Sequence, residues 1–160
     1  MRLALYEPDI PQNLGAFIRL SACMGVPLEL IEPCGFPVDD KRIRRAAMDY
    51  YELARLTRHA SWQAFRRAQQ EGQLPGRLVL LTTKAAATFP AVEFRPDDIL
   101  LLGRESAGVP DEVHEAVDGT DGLRLRVPLQ KGARSLNVAL AASMVLSEAL
   151  RQTSGYAQLT

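Results

Sequence analysis

The sequence predicts an α/β fold, a mostly parallel sheet flanked by helices, built as a single domain over residues 1–160. Three observations point there. Segments of strand character alternate with segments of helical period, the order that produces parallel sheets. Arg77–Thr82 and Asp98–Leu102 are continuous apolar runs bounded by polar or turn residues, which suits strands covered on both faces. Turns rich in glycine and proline follow several strands, where an open parallel sheet binds its ligands. With 160 residues, 47% of them apolar and 24% charged, the chain has material for one core and lies far from disordered compositions.

Arg2–Tyr6 reads as the first strand, and Glu7–Gln12, with two prolines, as a turn. From Asn13 to Met24, Leu14, Phe17, Ile18, Leu20 and Ala22 recur at roughly helical spacing, and Gly25 and Pro27 end that helix. Leu28–Ile31 is a second strand, followed by a loop to Asp40 and a short basic helical segment. A further strand is expected near Leu53–Thr57. Ser61 can cap a helix running to Gln70, with Trp62 and Phe65 on its inner face. Beyond the two apolar strands, Pro110–Val117 reads as a short helix and Leu123–Val127 as a strand. Ser135–Gln152 is the longest helix, and Leu136, Val138, Leu140, Met144 and Val145 leave it almost no polar face. A helix apolar all round is buried on more than one side, so part of it is expected to pack on a second subunit.

Composition removes several function classes. Nineteen basic residues balance nineteen acidic ones, so the molecule is no polycation. Cys23 and Cys34 form no C-x-x-C pair, which argues against a disulfide scaffold or zinc site and fits a reducing, cytoplasmic setting. No apolar run approaches the ~20 residues of a membrane span, and no signal peptide is recognisable. The charge is nevertheless uneven. Between Lys41 and Arg67 eight cations face only Asp49 and Glu52, and Lys41, Arg42, Arg44 and Arg45 crowd around Ile43. Such a cluster can straddle a phosphate backbone; a solvated face is the plainer alternative.

Familiar catalytic signatures are missing. The turn after the first strand reads Glu7-Pro8-Asp9-Ile10-Pro11, where a dinucleotide fold needs G-x-G-x-x-G. Gly103 and Gly108 have phosphate-loop spacing, but Val109-Pro110 replaces Lys-Ser/Thr. Ser106 lacks the flanking glycine of a nucleophile elbow. His59 and His114 are the only histidines, so no metal site is expected, and His114 reads as a surface helix residue.

Three segments remain that exceed scaffolding needs: Asn13-Leu14-Gly15-Ala16-Phe17-Ile18-Arg19, then Gly103-Arg104-Glu105-Ser106-Ala107-Gly108-Val109-Pro110, then Pro128 with Ser135-Leu136-Asn137. In order and separation they resemble the N-x-G-x-x-x-R, G-x-E-x-x-G-x-P and P…S-x-N motifs of the SPOUT-class RNA 2′-O-methyltransferases. Within that class LYEPDIPQN, DDKRIRRAAMDY, LTTK and RSLN are most similar to the enzymes that modify the tRNA wobble nucleotide, cytidine or uridine. The similarity runs from Leu3 to Gln152. It implies a C-terminal trefoil knot, a homodimer, tRNA as partner, and S-adenosylmethionine as methyl donor without a metal.

Carried over residue by residue, the resemblance implies catalytic roles for Arg19, Asn13 and Glu105. It implies cofactor contacts for Leu81, Leu102, Gly103, Val127, Ser135 and Leu136, with Gly103 leaving room for the cofactor beside the main chain. Lys41, Arg42, Arg44 and Arg45 are the expected RNA contacts. A guanidinium with a pKa above ~12 is a poor base, so Arg19 is expected to stabilise the developing alkoxide and orient phosphate; a salt bridge from Arg19 to Glu7 or Asp9 is the structural alternative. Ser147 departs from the pattern, since the wobble-modifying enzymes usually carry tyrosine there. Two other functions compete: a ribosomal RNA 2′-O-methyltransferase, disfavoured because no RNA-binding module is appended, and a catalytically silent RNA-binding protein, disfavoured because Asn13, Arg19, Glu105, Ser135 and Asn137 are all present.

Overall fold

The computed structural model describes residues 1–39, 43, 45 and 47–159. Six strands among them form one sheet: β1 (Arg2–Tyr6), β2 (Leu28–Ile31), β3 (Leu56–His59), β4 (Leu78–Leu81), β5 (Ile99–Leu102) and β6 (Leu123–Leu125). Their order is β3-β2-β1-β5-β4-β6, and every neighbouring pair is parallel. Leu5 of β1 lies in register with Leu30 on one side and Leu102 on the other. The helices are α1 (Pro11–Met24), α2 (Trp62–Gln70), α3 (Asp111–Asp118) and α4 (Val138–Gln152).

Strand alternation divides the core into two layers. Leu3, Leu5, Leu28, Leu30, Leu100 and Leu102 meet Leu14, Phe17 and Ile18 of α1 and Ala142, Val145 and Leu146 of α4. Ala4, Ile31, Leu80, Ile99 and Leu101 meet Trp62 and Phe65 of α2 and Val113 and Val117 of α3. Each such leucine or phenylalanine taken fully out of water contributes about 1.5–3 kcal/mol.

Charged groups inside this frame are paired. Asp98, fully buried before β5, receives both arms of the Arg77 guanidinium at 2.9 Å and the Arg95 amide at 2.8 Å. Buried Glu29 in β2 is met by Arg2 at 3.0 Å and by His59 at 2.8 Å. Both clusters satisfy charges that would be costly if left alone.

Several element boundaries differ from expectation. Helix α1 starts at Pro11, because proline is tolerated in a first turn whose N–H groups lack partners anyway. The strand expected at Leu53–Thr57 is β3, displaced to Leu56–His59; Leu53 is 69% exposed, just beyond a 3₁₀ turn at Met48–Tyr50. Strand β6 stops at Leu125, and Arg126 instead bridges Thr88. Helix α4 begins at Val138, since Asn137, not Ser135, caps it by accepting from the Ala139 and Leu140 amides. Of the basic segment, Lys41, Arg42 and Arg44 lie outside the described residues, while Ile43 and Ala47 are buried.

The last connection has an unusual course. Strand β6 adds outside β4 at the sheet's edge, yet α4 returns to pack on α1 and β5. The C-terminal knot implied by the resemblance depends on this return.

Candidate active site

The turns at the carboxyl ends of β1, β4, β5 and β6 converge on a cavity of about 520 Å³, within the range of small-molecule sites. Its wall includes Asn13, Glu105 and all six positions expected to meet the cofactor: Leu81, Leu102, Gly103, Val127, Ser135 and Leu136. Parallel strands direct their carboxyl ends to one side of the sheet, which is why turns distant in sequence share a wall.

A chain of polar contacts joins the three motifs. The Asn13 side chain donates through Nδ2 to Glu105 Oε1 at 2.7 Å and accepts at Oδ1 from Asn137 Nδ2 at 3.0 Å. Glu105 Oε2 accepts from the Asp9 amide at 3.1 Å, and Asp9 Oδ1 accepts from the Glu105 amide at 3.2 Å. The Ser106 hydroxyl donates to Asp9 Oδ2. Because β1 and β5 are neighbours, Asp9 and Asn13 beyond one face Glu105 beyond the other. Burial, reinforced by the Asp9 side chain, pushes the Glu105 carboxyl above the ordinary glutamate range. Hydrogen bonding to Glu105 and then to Ser106 holds Asp9 below its own.

The glycines of the β5 turn serve the loop itself. Arg104 and Gly108 exchange both backbone hydrogen bonds at 2.9 Å, and Gly108 takes φ +70°. A Cβ on Gly103 would come within 2.5 Å of the Gly108 carbonyl carbon. The turn itself therefore calls for glycine at this position, since the main chain that approaches it is Gly108, and Gly103 also lines the cavity.

Arg19 does not reach the cavity. It lies exposed on the outer side of α1, its guanidinium 4.9 Å above the Tyr50 ring, in a groove shared with Ala16, Cys23, Arg45 and Ser143 of α4. The alternative of a bridge to Glu7 or Asp9 is not what these acids form. Glu7 pairs with Arg104, and Asp9 is engaged by Glu105 and Ser106. Ser147 accepts a hydrogen bond from the Tyr156 hydroxyl at 2.7 Å, which comes from the C-terminal 3₁₀ turn Gly155–Gln158.

His114, expected as a surface helix residue, is buried. It is 8% exposed and on the cavity wall, not on the surface. Val113, His114 and Val117 occupy one arc of α3, so an i, i+1, i+4 stripe that included a histidine was the available signal.

The SpoU rRNA methylase family model matches residues 1–147. The chain belongs to this family. A relative from Beijerinckia indica, named tRNA (cytidine(34)-2′-O)-methyltransferase, is 55% identical over 98% of this chain and 94% of its own. A solved structure described as giving structural insights into the 2-OH methylation of C/U34 on tRNA superposes with a TM-score of 0.84, at 37% identity, over 96% of each chain. An AdoMet-bound rRNA methyltransferase from Sinorhizobium meliloti gives 0.80 at 27% identity, over 94% of this chain and 55% of that one. The family's parallel α/β architecture is the one expected from the sequence.

Proposed function

We propose that this chain methylates the ribose 2′-hydroxyl of the wobble nucleotide of tRNA, cytidine or uridine at position 34, with S-adenosylmethionine as donor. The observation that carries the reading is the single cavity walled by all three motifs and tied together by Asn13, Glu105 and Asn137. The reaction is the one named for the 55%-identical relative.

The residues present fit the donor. Leu81, Leu102, Val127 and Leu136 offer apolar faces to an adenine ring, and the Ser135 hydroxyl adds a polar contact. S-adenosylmethionine brings an activated sulfonium methyl, so the protein's work is alignment and charge stabilisation, and alignment alone can supply ~7–11 kcal/mol in favourable cases. Asn13 and Glu105 act as positioning residues, since each already spends its side-chain hydrogen bonds on another motif. Arg19 stabilises negative charge on the ribose oxygen and orients phosphate.

Arg19 stands outside the cavity of its own chain, so that role calls for a second copy. Helix α4 presents Leu140, 56% exposed, and Met144, 45% exposed, on either side of Ser143 in the Arg19 groove. A homodimer packed through this face brings Arg19 to the subunit boundary. Arg45, exposed in the same groove, extends the cationic surface toward the RNA, with Lys41, Arg42 and Arg44 beside it in sequence. The protein works in the cytoplasm, with its tRNA.

Incubation of the purified protein with labelled S-adenosylmethionine and tRNA transcripts tests this. Methyl transfer is expected at nucleotide 34 and is lost when that nucleotide is 2′-deoxy. Methylation confined to ribosomal RNA, or to a base, would overturn the assignment.

A further inference from the structure

His114 follows the β5 turn at the first turn of α3, its amide directed at the Pro110 carbonyl at 3.4 Å. The residue is 8% exposed and lines the cavity, as does Val109. Its Nδ1 is buried and has no hydrogen-bond partner among the described residues. Other polar side chains buried in the core are engaged: Glu29 by Arg2 and His59, Asp98 by Arg77, Ser21 by the Val26 carbonyl, and Asn13 by Glu105 and Asn137.

A buried imidazole nitrogen without a partner is unfavourable in the free protein, and a leucine of similar size would avoid that cost. The imidazole stands on the cavity wall, so a turn of the ring as a ligand enters would bring this nitrogen from its buried position to the donor or acceptor the ligand carries. A nucleoside offers both kinds, through ring nitrogens, an exocyclic amine and ribose hydroxyls.

We propose that His114 is a cofactor-positioning residue: the imidazole on the cavity wall takes its missing hydrogen bond from the nucleoside part of bound S-adenosylmethionine. The inference rests on the proposed function and adds to it a recognition group on a helix outside the three motifs. The ring contributes to holding the cofactor and does not enter the transfer step. Its removal is therefore expected to change cofactor affinity and KM, and to leave turnover at saturating cofactor near that of the wild type.

The test compares wild type, His114→Leu and His114→Asn by calorimetric titration with S-adenosylmethionine and with S-adenosylhomocysteine, and by thermal melting without ligand. His114→Leu should weaken both ligands about tenfold, the size of one buried hydrogen bond, while its ligand-free melting temperature stays level or rises. His114→Asn, whose amide can reach the position of Nδ1, should recover most of the affinity. A stable His114→Leu protein that binds both ligands as the wild type does overturns the inference and leaves the cofactor reading intact. Equal losses in His114→Leu and His114→Asn overturn it too, because the loss then follows shape and not hydrogen bonding. Wild-type protein that binds neither ligand removes the cofactor reading and this inference together.

Discussion

The side-chain amide of Asn137 donates to the side-chain oxygen of Asn13 at 3.0 Å, across 124 residues of chain. Asn137 also caps α4 with its own Oδ1, so one residue closes the last helix and fastens it to the first motif.

Asn137→Ala is therefore expected to destabilise the protein by ~1–2 kcal/mol through the cap alone. In a double-mutant cycle with Asn13→Ala, urea denaturation should give a coupling of at least ~0.5 kcal/mol. Strict additivity would show that the two amides are neighbours without being partners.

Gly103→Ala should open the turn held by Arg104 and Gly108. A Cβ at 2.5 Å from backbone cannot be accommodated by a side-chain rotation, and overpacking of this kind costs about 1–3 kcal/mol. Cofactor affinity should fall together with the melting temperature. A substitution that lowered affinity with no change in stability would return Gly103 to the simpler role of leaving room for a ligand.

Arg19→Ala should lower methyl transfer by at least ~100-fold, comparable to the loss of one oxyanion donor. Its effect on S-adenosylmethionine affinity should be small, because Arg19 lies on the outer side of α1. Arg19→Lys should restore little, since an ammonium lacks the planar fork that can hold phosphate and oxygen together. Near-normal turnover in a folded Arg19→Ala protein would exclude the role.

Leu140→Glu combined with Met144→Glu should separate the proposed dimer into folded monomers, read by sedimentation at micromolar concentration. Both side chains face outward, so neither change touches the core shared with α1 and β5. The monomer should lose transfer far more than it loses cofactor binding. A wild type that sediments as one chain would refute the dimer directly.

The Glu105 carboxyl supplies a pH test. Its folded value is raised, chiefly by burial. Below the ordinary glutamate range it is protonated in folded and unfolded chains alike. As pH rises through its folded value, the native state releases a proton that it held more tightly, and stability falls. Glu105→Gln removes that loss, so its urea midpoint should gain on the wild type as pH rises above the ordinary glutamate range and level off once the folded carboxyl has ionised. Asp9, held low, acts in the opposite sense, its stabilisation being lost only as pH drops below the ordinary aspartate range. A constant difference between variant and wild type across pH would mean that Glu105 titrates normally.

The sheet's interior was legible because β4 and β5 are apolar on both faces, and apolar runs of that length have few alternatives. Strand β3 was misplaced because it lies at the edge with Thr57 and Arg58 exposed, so its pairing to β2 leaves little hydrophobic trace. Helix α4 starts at Val138 and not at the expected Ser135, because the Asn137 side chain caps it at the Ala139 and Leu140 amides, a local contact that apolar spacing does not register. Of the candidate site, the wall residues were legible through motif likeness alone. That Asn13 and Glu105 are spent on holding the motifs together could not be read from the chain, because their partners are set by which strands become neighbours. The burial of His114 was hidden by Asp111, Glu112, Glu115 and Asp118 around it, which make α3 look solvated until its Val113–Val117 arc is set against the sheet.

The contact between Asn13 and Asn137 also sets a timetable. A chain is synthesised from its N-terminus at roughly 5–20 residues per second, so the first of these asparagines waits several seconds for the second. Meanwhile β1, β2, β4 and β5 can assemble, but the wall made by Val127, Ser135 and Leu136 does not yet exist. A chain that stops short of Val127 lacks these wall residues altogether. Cofactor binding is therefore expected only after the stretch from Val127 to the start of α4 has been made and has folded back onto the sheet.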